Sequence, residues 1–342
     1  MYKLLIRPIL FLVKPETVHH LIMTAFRLIS LIPPYINVIK KAYRIHNSKV
    51  KPVHVFGLDF PHPVGLAAGF DKDAKAFNVL QAFGFSHIEI GTVTPKAQSG
   101  NPKPRLFRMV KNFALINRMG FNNHGVYETA KNLKKRKPGL IIGGNIGKNT
   151  TTPLEESVSD YLECFKSLYG LVDYFVVNVS CPNVKGLHKL QDKDALLSIL
   201  SALTHYRSTQ VVYTPVLLKI APDLTNELID DSLAVIEQCG LDGVVATNTT
   251  TSREGLTNYT STEIEKIGNG GLSGKPLTVR STEVIRYISQ KTNGKLPIIG
   301  VGGIMSVTDA KEKLDAGASL IQIYTGFIYE GPGFVKNIVN SL

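Results

Sequence analysis

Val64-Gly65-Leu66-Ala67-Ala68-Gly69-Phe70-Asp71-Lys72 begins as a run of small apolar residues and stops on a glycine, an acid and a lysine. The pattern recurs along the chain in His87 to Ile90, Leu140 to Gly143, Tyr174 to Val179, Val216 to Ile220, Gly243 to Ala246, Pro297 to Val301 and Leu320 to Tyr324. Each run ends on or beside Gly, Asn, Thr, Ser or Lys. Strands covered on both faces, as in parallel sheets, read as continuous apolar runs of this kind. Stretches of helical period fill the gaps, among them Ala195 to Leu203, Glu227 to Cys239, Thr282 to Ser289 and Thr308 to Ala316. Eight such units predict an α/β fold, a (β/α)8 TIM barrel, typically about 250 residues. A doubly wound open sheet is the alternative. Ahead of the first unit, Val53 to Phe56 and Leu58 to Phe60 turn at Gly57 and predict a small pair capping the barrel's bottom.

The remaining composition narrows the class. Of 342 residues 44% are hydrophobic and three are Cys, which excludes a disordered chain and a disulfide scaffold. No apolar run reaches the roughly 18 to 20 residues that span a bilayer. Cys164, Cys181 and Cys239 form no metal-binding pattern, so no metal is expected, and their odd number without an export signal points to a reducing compartment.

The net charge of +12 is unevenly placed. Residues 1–50 carry Lys3, Arg7, Lys14, Arg27, Lys40, Lys41, Arg44 and Lys49 against Glu16 alone, a net +7. Between the charges, Val18, Leu21, Ile22, Ala25 and Ile29 draw one apolar helix face, and Leu4, Leu5, Ile9 and Leu12 a shorter one. Pro33-Pro34 ends the second helix. A signal peptide fails for want of a cleavage site. Nucleic acid explains the charge but not the Leu, Ile and Phe side chains. An amphipathic helical hairpin on an anionic membrane surface explains both, and packing on the main domain is the alternative. The expected division is a segment 1–45 that meets the membrane and a catalytic domain 46–342. Lys134-Lys135-Arg136-Lys137 reads as a solvated helix end.

In a barrel the polar strand endings gather at one rim, where such enzymes place their active sites. Gly300-Val301-Gly302-Gly303 and Tyr324-Thr325-Gly326 follow the seventh and eighth strands, the recurrent phosphate site of this fold. Gly271-Leu272-Ser273-Gly274-Lys275 adds a third glycine loop. Asn117, Asn145, Asn178, Asn183 and Asn248 fall at or near strand ends. Amides pair with alternating N–H and C=O groups, as on a pyrimidine dione or a flavin edge. Lys72 and Lys219 suit a carboxylate, a phosphate or an electron-rich flavin locus. Cys181, between Ser180 and Pro182, is a candidate base or nucleophile.

Gly65 to Lys72, Gly91-Thr-Val-Thr-Pro95, Gly100 to Arg105, Asn117-Arg-Met-Gly-Phe121, Asn178-Val-Ser-Cys-Pro-Asn183, Ala246 to Thr249, Gly270 to Gly274 and Gly300 to Gly303 together resemble the dihydroorotate dehydrogenases. The N-terminal pattern from Met1 to His19 resembles their membrane-associated class 2, which passes electrons to quinone. The resemblance implies FMN on Ala68, Gly69, Lys72, Thr92, Asn145, Asn178, Lys219, Thr247, Gly274, Gly303, Tyr324 and Thr325. It implies dihydroorotate and its product orotate on Lys72, Asn117, Arg118, Met119, Gly120, Phe121, Asn178, Asn183, Asn248 and Thr249. Cys181 is implied as the base, and His19, Arg108 and Tyr324 as the border of the quinone path. The partners implied are membrane quinone and an anionic lipid surface, not nucleic acid, at the cytoplasmic face of the cell membrane.

One residue departs from the class 2 pattern, which usually carries Ser at the position of Cys181. Cys is the habit of the soluble class 1 enzymes. Quinone is the favoured acceptor, because the soluble class lacks this N-terminal extension. The alternative is a soluble-type FMN barrel oxidoreductase, on dihydroorotate or a dihydropyrimidine, using fumarate or another acceptor. A non-catalytic barrel that binds a phosphorylated ligand at the membrane is a reading from a different class.

Overall fold

The computed structural model describes residues 2–46, 50–183 and 192–342. Thirteen strands follow one another along the described chain: β1 (Val53–Val55), β2 (Leu58–Phe60), β3 (Val64–Leu66), β4 (His87–Val93), β5 (Leu106–Met109), β6 (Ala114–Asn117), β7 (Ile141–Ile146), β8 (Tyr174–Asn178), β9 (Val216–Ile220), β10 (Gly243–Ala246), β11 (Gly271–Gly274), β12 (Ile298–Val301) and β13 (Leu320–Ile323). β3, β4, β7, β8, β9, β10, β12 and β13 close into a parallel barrel in that order. These are the eight apolar runs read from the sequence. The open-sheet alternative is excluded by the pairing of β13 with β3, Ile321 opposite Val64.

The barrel's interior has a dry end and a polar end. At the bottom, Phe60, Tyr174, Leu217, Val245, Ile299 and Leu320 pack together, fully buried. β1 and β2 pair antiparallel, Val53 opposite Phe60, and close this end as the sequence predicts. Room for the large rings comes from glycine on the facing strands. A Cβ on Gly65 would stand 2.1 Å from His87, and one on Gly143 would stand 2.3 Å from Tyr174. Two residues further along the strands the interior turns polar, and this layer is the floor of the site.

Two features exceed the sequence reading. β5, β6 and β11 form a separate antiparallel sheet beside the barrel mouth, with Leu106 and Gly271 both opposite Asn117. The N-terminus holds three α-helices rather than two: α1 (Arg7–Leu12), α2 (Pro15–Ser30) and α3 (Pro33–Ala42). Pro33-Pro34 does follow the end of α2, but it also starts α3, because an N–H in the first helical turn has no intrahelical acceptor to lose.

The apolar face of α2 divides between two duties. Val18 is buried, and Met23, Phe26 and Ile29 pack against the barrel core, with the Phe26 ring 5.5 Å from Phe83. Leu21 and Leu28 face outward, as do Leu4, Leu12 (88% exposed) and Leu31 (72% exposed) nearby. Packing on the main domain and an exposed apolar surface are therefore both present. No single helix among the described residues is long and apolar enough to cross a membrane.

α2 is pinned by charge. Arg105 Nη2 and Nε donate to Glu16 Oε1 at 2.9 and 3.1 Å, both side chains largely buried. Burial would raise the Glu16 carboxyl, but Arg105 and Lys103 hold it below the usual carboxylate range. Its stabilisation is therefore present at neutral pH and lost on acidification. Glu16→Gln leaves Arg105 buried without its anion and is expected to cost about 3 kcal/mol. Urea unfolding from pH 7 to pH 4 checks this: the difference from the parent should shrink as pH falls.

Candidate active site

One cavity opens at the polar end of the barrel and gathers most of the implied site residues. Ala68, Gly69, Lys72, Thr92, Asn178, Lys219, Thr247, Gly274, Gly303, Tyr324 and Thr325 line it. So do Asn117, Met119, Gly120, Phe121, Cys181, Asn183, Asn248 and Thr249, with His19 and Glu16 of α2 forming one wall. Leu106, Leu115, Leu277, Ile304 and Met305 make the rest of the lining apolar, and Leu106 lies on β5, against which α2 packs.

Backbone geometry explains the loops. Gly303 has φ 68°, and a Cβ there would stand 2.3 Å from Thr278 N and Cα, so only glycine lets the loop lie on the start of the helix Thr278–Lys291. Asp71 is buried and accepts from the Lys75 and Ala76 amides at 2.7 and 2.8 Å, closing the turn that carries Lys72.

The floor is a continuous hydrogen-bonded network. Thr92 Oγ1 donates to Asn145 Oδ1 at 2.5 Å, and Asn178 Nδ2 donates to Thr92 Oγ1 at 2.9 Å. Asn248 Nδ2 donates to Asn178 Oδ1 at 3.2 Å and to Ser180 Oγ at 3.0 Å. Asn145 is fully buried one layer below the cavity, and its Nδ2 donates to Glu89 Oε1 at 2.7 Å. Gln322 Nε2 donates to the other Glu89 oxygen at 2.8 Å, and Lys219 Nζ lies 3.5 Å from Oε1. Glu89 and Gln322 did not emerge from the strand endings. Glu89 sits mid-strand in His87-Ile-Glu-Ile90, where a lone acid in an apolar run was the available signal.

Cys181, Lys72 and the amides form the upper part. Burial pushes the Cys181 thiol up to about 11, against the Asn183 hydrogen bonds and the charges of Lys72 and Lys219. Burial likewise lowers the Lys72 ammonium to about 8, and it donates to Asn122 Oδ1 at 2.5 Å. Asn183 Nδ2 donates to Asn117 Oδ1 at 3.0 Å, joining the β8 and β6 sides of the mouth. Burial and the Lys72 charge lower His19 to about 4, so it is neutral at pH 7, its ring 5.4 Å from Phe70. Tyr324 is pushed up to about 12 by burial.

Two arginines are directed away from the cavity. Arg118 donates to Pro104 O at 2.9 and 3.1 Å and to Ile267 O, with its guanidinium over the Phe107 ring. It clips the loop rather than facing a substrate. Arg108 donates to the carbonyls of Leu10, Phe11 and Val13 and covers the Phe11 ring at 4.5 Å. It caps the C-terminus of α1, whose dipole favours a cation, and lines an outer groove between that end and β5. Elsewhere, Arg136 pairs with Asp173 at 2.6 Å, so part of the basic run after residue 133 is structural.

The sequence model of the family "Dihydroorotate dehydrogenase" matches residues 51–342. A protein of Christiangramia forsetii named dihydroorotate dehydrogenase (quinone) is 52% identical over 338 residues, covering 99% of this chain and 97% of its own. One of Yersinia enterocolitica with the same name is 48% identical over the full length of both. Among solved structures, the DHODH of Eimeria tenella in complex with ferulenol superposes with a TM-score of 0.82 at 35% identity, over 95% of this chain and 89% of that one. In its sequence, its barrel and its full-length relatives alike, the chain belongs to the dihydroorotate dehydrogenase family.

Proposed function

We propose that the chain oxidises (S)-dihydroorotate to orotate with FMN as its redox cofactor and a quinone as acceptor, in pyrimidine (UMP) biosynthesis. The observation that carries this is the single cavity running from the Lys219 floor past Cys181 to His19 on α2. The residues fit a flavin nucleotide. Three glycine loops meet at one end of the cavity, donors line the floor, and Gln322 Oε1 is buried beside the cavity without a hydrogen-bond partner. FMN, when bound, supplies the two-electron acceptor.

The chain's own residues do the rest. Lys72 offers its ammonium to the substrate carboxylate. Asn117, Asn183 and Asn248 offer donors and acceptors to the ring amides and fix the ring face. Cys181 Sγ takes the C5 proton as the hydride leaves C6. The apolar lining at Leu106, where α2 packs on β5, admits the quinone, with neutral His19 and Tyr324 at its border. Arg108 serves that path by fixing the end of α1.

The test is spectroscopic. Purified protein should be yellow, its flavin bleached by dihydroorotate without oxygen and recoloured by a soluble quinone. Recolouring by fumarate and not by quinone would overturn the acceptor assignment. Cys181 is the one residue that favours the soluble-type reading, and this assay separates the two.

Residues 1–45 are assigned to an anionic membrane surface at the cytoplasmic face of the membrane, and 46–342 to catalysis. Support comes from Leu4, Leu12, Leu28 and Leu31, exposed beside Lys3, Lys14 and Arg27. Burying one leucine side chain is worth about 1.5–3 kcal/mol. Replacing Leu12 and Leu28 together by Glu is therefore expected to weaken binding to anionic vesicles by at least about 100-fold. Activity with a water-soluble quinone should stay the same. Unchanged vesicle sedimentation would refute this docking face.

A further inference from the structure

Lys313 is a buried cation that the proposed chemistry leaves unused. It lies on the helix Val307–Asp315 and is fully buried. Its Nζ donates to Thr278 O at 2.7 Å, to Ser281 Oγ at 2.8 Å and to Thr282 Oγ1. All three acceptors are neutral, and no carboxylate among the described residues forms an ion pair with it. Asp309 and Glu312, on its own helix, act on it only through space, and Arg286 opposes them. The ammonium also sits in the first turn of the helix Thr278–Lys291, where the helix dipole repels a cation. A buried charge in such surroundings is costly unless an anion answers it.

The glycine loop of the cavity rests on the residues that Lys313 grips. Thr278 Oγ1 donates to Gly303 O at 2.6 Å, and Ser281 Oγ donates to Gly302 O at 2.9 Å. Both glycines line the cavity. The fold thus sets an unanswered positive charge directly behind the loop that a phosphate is expected to meet.

We propose that Lys313 is the buried counter-charge for the phosphate of the flavin nucleotide, a positioning residue acting through Gly302 and Gly303. The inference rests on the FMN reading above. It predicts a specific asymmetry, because riboflavin has the same ring without the phosphate.

Apoprotein of the parent and of Lys313→Met should be titrated with FMN and with riboflavin. The parent is expected to prefer FMN. Lys313→Met should lose about 10-fold in FMN affinity, the size of a unit-charge attraction across roughly 12 Å at an effective dielectric near 20, and keep its riboflavin affinity. Folding should survive, because each hydroxyl that loses the ammonium keeps a carbonyl of its own helix turn within reach, Leu277 O at 2.8 Å from Ser281 Oγ and Thr278 O at 2.9 Å from Thr282 Oγ1. Equal losses for both flavins, or an unchanged preference, would overturn the role of Lys313. Lys313→Gln repeats the neutralisation, and if neither neutral variant folds the ammonium is structural and the proposal fails. A parent that binds no flavin, or does not prefer FMN, sinks the FMN reading instead.

Discussion

Cys181→Ala is expected to bind flavin as the parent does and to oxidise dihydroorotate at least about 100-fold more slowly, the usual contribution of a positioned general base. Alanine removes the only group proposed to accept the C5 proton and leaves the Thr92, Asn145 and Asn178 floor in place. Anaerobic mixing with dihydroorotate, followed at the flavin band, reads this step without the acceptor. Undiminished bleaching would end the role of Cys181.

The pH profile sharpens the same test. Burial holds the thiol near 11, so the thiolate fraction and the bleaching rate should rise with pH across the neutral range. Lys72 works against this above about 8, where its ammonium begins to lose the proton that steadies the thiolate. The rise should therefore flatten at alkaline pH. Cys181→Ser should keep a slower reaction that needs still higher pH, because a hydroxyl starts from a far higher pKa than a thiol.

How much of this was written in the sequence depends on what each residue answers to. Barrel strands answer to burial on both faces, which leaves an apolar run in the sequence, and all eight were legible. Their polar endings marked the rim, and Lys72, Asn178, Cys181 and Asn248 meet there. β5, β6 and β11 were not legible as strands. They are four residues each, too short for a period to show, and β11 pairs with β6 across more than 150 residues of chain. Arg108 and Arg118 match the family's motifs, yet their guanidiniums are spent on backbone carbonyls, a choice set by tertiary contact. Glu89 was hidden in the opposite way. It lies inside a run read as purely apolar, although the alternation that turns His87 inward turns Glu89 inward too.

That position carries the second large effect. Glu89→Gln is expected to raise the midpoint potential of the bound flavin by roughly 40 mV and to lower the stability of the apoprotein by about 3–5 kcal/mol. The Glu89 carboxylate is fully buried and, among the described residues, is the one that forms an ion pair with Lys219, at 3.5 Å. Glutamine keeps the shape and a hydrogen bond to Asn145 or Gln322, so the change isolates the charge. Lys219, left without its counter-ion in the cavity floor, would favour the electron-rich reduced flavin. A unit charge some 8 Å away at an effective dielectric near 20 is worth about 2 kcal/mol. Over a two-electron couple that energy corresponds to the potential shift stated. The direction separates an electrostatic role from a packing role, since a loosened floor would weaken flavin binding without favouring its reduced form. Bleaching by dihydroorotate should become more complete in the variant, while reoxidation by quinone should slow. A potential that stays put or falls would show that Glu89 only holds Asn145 and Gln322 in place.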